Sequence, residues 1–172
     1  MQFNPIPSQT FGNPPFQVEA VTDIEGLTPV YSTTTIEPIH VCSGNYINIT
    51  SAGRATIFAD FFDSEGTFHG RAWTGIFIYR GTQKLVQYPP TIVPDATGGH
   101  TTYLLSGESN VGLPVHFTSW DTEVATISGN YAHIIGPGSV VVSVEQSGNA
   151  NYMGGRYVPN HSGTTRFYVL PF

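Results

Sequence analysis

Asp60, Asp63 and Glu65 crowd into one short segment, and Asp23 and Glu25 occupy another. Carboxylates grouped like this can ligate a hard cation such as Ca²⁺. Their spacing does not follow the EF-hand loop, however, so the leading expectation is a solvated acidic loop. A Ca²⁺ site on Asp60, Asp63 and Glu65 is the alternative, and no other cofactor is expected. The six histidines (His40, His69, His100, His116, His133 and His161) form no H-x-H or H-x-x-x-H pair, so zinc is not expected. No Gly-x-Ser-x-Gly elbow occurs. We expect no catalytic residue and no enzyme.

The aromatic side chains offer a different chemistry. Trp73 and Trp120, with Tyr79, Tyr103, Tyr152 and Tyr157, present flat rings that stack on sugar faces, and the two tryptophans are the candidate ligand-binding residues. The same rings can fill cores or the seam between repeats, and that is the favoured expectation. Asn48-Ile49-Thr50 and Asn160-His161-Ser162 match the N-glycosylation tripeptide. Asn160, in an apparent loop insertion over 153–163, is the better candidate, because Asn48 falls in a predicted strand. Cys42 is the only cysteine, so no disulfide forms within the chain, and a buried thiol is expected. Lys84 is the only lysine, which leaves the first half with none of its own for a Lys–Asn cross-link.

Composition indicates which elements must carry these groups. Only 10% of the 172 residues are charged, against about 25% in an ordinary soluble domain. With 40% hydrophobic residues, 19 glycines and 13 prolines, the chain favours strands joined by turns and can still build a core. Its net charge of −6, with no basic cluster, argues against nucleic acid and anionic membranes as partners. No apolar run is long enough for a membrane-spanning helix, so no membrane insertion is expected. The opening residues show no basic segment followed by an apolar one, so no export leader is expected there.

The chain also repeats itself. At an offset of 85, Ser43-Gly44-Asn45-Tyr46 meets Ser128-Gly129-Asn130-Tyr131, Pro29-Val30 meets Pro114-Val115, Gly53 meets Gly138, and Gly70-Arg71 meets Gly155-Arg156. The apolar pattern keeps the same register: Ile39 with Val124, Ile49 with Ile134, Ile57 with Val142, Ala59 with Val144. Duplication explains a constant register over that span. Each half then needs about seven short strands. We place them near 16–23, 28–34, 38–43, 46–51, 54–62 and 73–80 after an extended 2–10, then near 84–93, 100–107, 114–120, 123–128, 131–136, 139–147 and 164–171. Gly44-Asn45 and Gly129-Asn130 predict tight two-residue hairpins. The expected domains are residues 1–81 and 82–172, with a short junction near 80–83 that limits bending.

The segment Phe3-Asn4-Pro5-Ile6-Pro7-Ser8-Gln9-Thr10-Phe11-Gly12-Asn13-Pro14-Pro15-Phe16 resembles the opening of MBG-type repeats, a branch of the bacterial Ig-like domains. Gly112-Leu113-Pro114-Val115-His116-Phe117, Val124-Ala125-Thr126-Ile127, Gly136-Pro137-Gly138-Ser139-Val140 and Gln146-Ser147-Gly148-Asn149-Ala150-Asn151-Tyr152 resemble later parts of the same pattern. The first half keeps the family opening and the second its ending. The resemblance implies an all-β chain of two tandem immunoglobulin-like β-sandwiches, extracellular or at the cell surface. It implies a stalk, spacer or filament subunit, with neighbouring repeats or other copies of the chain as partners and strand exchange as one mode of assembly. An adhesin or carbohydrate-binding module that contacts cell-surface glycans is the alternative, and a phage tail or capsid decoration domain is a third reading. The resemblance implies no catalytic residues.

Overall fold

Residues with β-branched and aromatic side chains are frequent in this chain, and among the described residues they form strands. The computed structural model describes residues 1–34, 37–93, 101–157 and 166–169, and no helix occurs among them. The chain divides into two compact units, Met1–Gly81 with Ala150–Tyr152, and Thr82–Asn149 with Met153–Phe172.

The first unit holds β1 (Gln2–Phe3), β2 (Gln9–Thr10), β3 (Phe16–Gln17), β4 (Ala20–Val21), β5 (Thr28–Thr33), β6 (Ile39–Ser43), β7 (Tyr46–Ile49), β8 (Gly53–Phe62) and β9 (Phe68–Tyr79). One sheet runs β2-β9-β8-β5 and a second β3-β7-β6, while β1 pairs with β4. Ile39 and Ile47 from the second sheet meet Ala55, Ile57 and Ile78 from the first in one buried cluster, so the two faces pack as a β-sandwich. A smaller cluster of Ala20, Ala59, Phe61 and Ala72 extends the apolar interior.

The second unit holds β10 (Leu85–Val93), β11 (Thr102–Ser109), β12 (His116–Ser119), β13 (Ala125–Ser128), β14 (Tyr131–Ile134), β15 (Gly138–Gly148), β16 (Met153–Tyr157) and β17 (Arg166–Val169). Its sheets run β10-β11-β14-β13 and β12-β15-β16, with β17 also on β15. Leu105, Ala132 and Ile134 of one meet Phe117, Val140, Val142 and Val144 of the other in a common core. Burying each of the Leu, Ile, Val and Phe side chains contributes about 1.5–3 kcal/mol against leaving it in water.

Both expected hairpins are present. Ser43 faces Tyr46 and Ser128 faces Tyr131 across two-residue turns, with Gly44 at φ 55° and Gly129 at φ 57°. Glycine suits these positions because a β-carbon disfavours positive φ.

Two expected elements differ from the structure. The strand placed at 16–23 is broken: β3 bonds to β7, whereas β4 bonds to β1, so the chain changes sheets around Val18. The segment read as a loop insertion over 153–163 begins with a strand, β16 on β15. Two glycines lower the strand propensity of Met153-Gly154-Gly155-Arg156 and hid it. At Gly154 a β-carbon would lie 2.9 Å from the Ser147 carbonyl oxygen, so close approach to β15 explains that glycine. The surplus length lies further on. Val144 faces Tyr157 and Val141 faces Arg166, so three steps along β15 match nine along its partner. In the first unit β9 runs along β8 as one strand.

Candidate functional site

Strand parity builds the site. Along β8 the residues Ala55, Ile57, Ala59 and Phe61 are buried, which turns Arg54, Thr56, Phe58 and Asp60 to the outer face. Along β9, Ala72 and Ile78 are buried, while Arg71, Trp73, Gly75, Phe77 and Tyr79 point outward. Antiparallel pairing sets Arg54 opposite Phe77, Thr56 opposite Gly75, Phe58 opposite Trp73 and Asp60 opposite Arg71. The result is an aromatic, hydrogen-bonding face on one sheet of the first unit.

Trp73 is 69% exposed, and Phe77 and Tyr79 are exposed beside it. The Phe77 and Tyr79 rings meet edge to face, with centroids 4.9 Å apart. Two arginines lie on this face. The Arg71 guanidinium carbon is 4.8 Å from the Phe58 ring centroid, and that of Arg54 is 6.0 Å from Phe77. Arg71 also donates from Nε to Asp60 Oδ1 at 2.6 Å and from Nη2 to Oδ2 at 2.8 Å. This forked bond holds the Asp60 carboxyl below its ordinary range and raises the Arg71 guanidinium. Between Trp73 and Phe77 the row is interrupted by Gly75. A β-carbon built there meets nothing within 4 Å, and a shallow depression of about 480 Å³ opens over it, lined by Thr34, Arg54, Thr56, Gly75, Ile76 and Phe77.

The acidic segment is bonded internally. Asp63 Oδ1 accepts from the backbone N–H groups of Glu65 at 3.0 Å and Thr67 at 2.9 Å, and Oδ2 lies 2.8 Å from His69 Nε2. The His69 contact first, and the Thr67 amide next, bring the Asp63 carboxyl down to about 2. Asp60 is held by Arg71, and Glu65 contributes its backbone to the turn. Asp23 and Glu25 are exposed on their own loop. Among the described residues no group of three or more His, Cys, Asp or Glu side chains is placed to share a metal ion.

The second unit carries a related arrangement. Arg156 Nη2 lies 2.8 Å from Glu145 Oε1, and His116 Nε2 is 3.6 Å from Oε2. Trp120, 57% exposed, donates from Nε1 to Ser143 Oγ at 3.1 Å, and that hydroxyl donates to Glu145 Oε1 at 3.1 Å.

The expectation that the aromatic rings fill cores is therefore corrected for several of them. Trp73, Trp120, Tyr79 and Tyr157 are exposed. Tyr103 does pack against the core of the second unit, and Tyr152 meets Phe11 edge-on at 5.2 Å inside the first. Trp73 and Trp120 lie in different units. Asn48 sits within β7, half-buried and paired with His40. Asn160, His100 and His161 lie outside the described residues, as does the Cys42 side chain.

Sequence reasoning missed Arg54, Phe58, Arg71, Gly75 and Phe77. A signal was present: Arg71, Trp73, Gly75, Phe77 and Tyr79 alternate with smaller or aliphatic residues, a period of two that marks one face of a strand. No protein-family model and no curated protein matches the chain.

Proposed function

We propose that the chain is an extracellular interaction module: two tandem Ig-like β-sandwich repeats of a bacterial surface protein or fibre, which makes contact through the outer face of β8 and β9. In this reading the chain spaces and binds, and does not catalyse. The observation that carries it is Trp73, two-thirds exposed in a row with Phe77 and Tyr79. Large rings gathered on one open face are costly to leave in water and mark a surface that a partner covers. The internal register of 85 and the paired sheets of each unit support the tandem-repeat part of the reading.

Strand exchange is a less favoured mode of contact. β5 lies at the edge of its sheet, and Pro29 within it lacks a backbone N–H. A proline in an edge strand blocks recruitment of a further strand. The face, not that edge, is the better surface for a partner.

The test compares the intact chain with Trp73→Ala, first on a glycan array and then for self-association by sedimentation. Trp73 is mostly solvent-exposed, so the variant should keep its far-ultraviolet spectrum. We expect it to lose most of the glycan binding or self-association of the parent chain. Equal behaviour of the two proteins in both assays would remove the face from the mechanism.

A further inference from the structure

From the depression over Gly75 we infer a binding site for an acidic saccharide, a pyranose that carries a carboxylate, such as a uronic or sialic acid. The inference rests on the proposed role of the β8–β9 face and names the ligand class for it.

Three features of the site match three features of such a ligand. The first is the floor. Gly75 has no side chain, and nothing lies within 4 Å of where a β-carbon would stand. Trp73 and Phe77 stand two residues away on either side, on the same face of β9, each about 7 Å along the strand. Of the two, Phe77 lines the depression, which leaves space for one ring against its aromatic wall, and aromatic faces pack well against the C–H face of a pyranose. The depression holds about 480 Å³ and is shallow, so a ligand there would lie against the sheet face with one side in solvent.

The second is hydrogen bonding. Thr34 and Thr56 border the depression, and each hydroxyl both donates and accepts, as sugar hydroxyls require.

The third is charge. The chain carries a net −6. Arg71 is neutralised by Asp60, but none of the ion pairs among the described residues uses Arg54. Arg54 lines the depression with its guanidinium beside the Phe77 ring. An uncompensated guanidinium at a pocket edge favours a planar carboxylate. An acidic peptide would satisfy the charge, but acidic segments are usually held by several arginines, and its acidic side chains offer no flat apolar ring for Phe77.

The intact chain is titrated with sialyllactose, with an oligogalacturonate, with neutral lactose and with poly-glutamate, by following the amide resonances of Gly75 and Phe77. One or both acidic sugars should bind, lactose at least about tenfold more weakly, and poly-glutamate without saturation. Gly75→Val should fill the floor. Its β-carbon meets no neighbour and it adds a strand-favouring side chain, so it should stay folded and bind at least about tenfold more weakly. Arg54→Gln should erase the preference for acidic over neutral sugar. The inference is overturned if neither acidic sugar binds, if lactose or poly-glutamate binds equally well, or if Gly75→Val binds like the parent. Trp73-dependent binding of neutral glycans alone would end this inference and leave the proposed role of the face intact.

Discussion

Arg71 and Asp60 face each other across β8 and β9 and are joined by a forked pair of hydrogen bonds at 2.6 and 2.8 Å. Eighty-five residues on, Glu145 faces Arg156 across β15 and β16, with the guanidinium 2.8 Å from the carboxylate. The same acid and the same arginine positions thus keep the same cross-strand register in both units. Around them the faces have diverged. Phe58 lies beside the first pair and Trp73 opposite Phe58, whereas Ser143, beside the second pair, is covered by Trp120. The duplicated pair marks a shared framework, and the residues around it set what each face can bind.

Removing Arg71 should cost more stability than removing Asp60. Arg71→Met loses both the carboxylate and the stacking over Phe58, whereas Asp60→Asn keeps an acceptor. A double-mutant cycle by urea denaturation measures the pair, and the coupling should shrink with added salt, as exposed ion pairs do. Equal single-mutant costs would show that the ring contact contributes nothing.

Asp63 should give acid sensitivity to its turn. Its folded carboxyl titrates near 2, against an ordinary 3.8. The folded state therefore binds that proton less tightly than the unfolded state. Its stabilisation is fully present above about pH 4 and is lost as the pH falls through about 2. The amide resonances of Glu65 and Thr67 should move together over that window, and Asp63→Asn should abolish the movement. A midpoint near 4 for those amides would contradict the bonding described.

Gly138→Ala should be more damaging than Gly53→Ala, although the two positions correspond in the repeat. Both glycines have positive φ, 141° and 143°. At Gly138 a β-carbon would come within 2.8 Å of Val124 Cγ2, while at Gly53 the nearest atom is 3.8 Å away. Each substitution should cost more than about 1 kcal/mol for the backbone alone. Thermal denaturation of the two variants should rank Gly138→Ala lower.

Phe61→Ala should destabilise the first unit by about 3–5 kcal/mol, because Phe61 is almost fully buried and its removal leaves a void. Trp73→Ala, on the opposite parity, should cost far less. Calorimetry on both variants checks the assignment of faces, and similar losses would place Trp73 inside.

Much of this protein was readable from its residues. The all-β character, the two glycine hairpins and the register of 85 are local or repetitive properties, carried by propensity, turn chemistry and period-two patterning. Met153–Tyr157 escaped because its glycines serve close approach to β15, which propensity does not register. The acidic segment was read as a loop, yet Asp60 lies within β8 and only residues 63–67 form the turn, and the partners of its carboxylates were not legible. Asp60 reaches Arg71 eleven residues on, around the turn that Asp63 organises.

The sequence alone determined that Trp73, Phe77 and Tyr79 share one face of a strand, since side chains alternate along any extended backbone. It did not determine which face. That choice depends on which of the two faces packs against the opposing sheet, and a one-residue change in register reverses it. Only the tertiary structure, with Ile57, Phe61, Ala72 and Ile78 turned inward, put those rings and the empty floor of Gly75 on the open side.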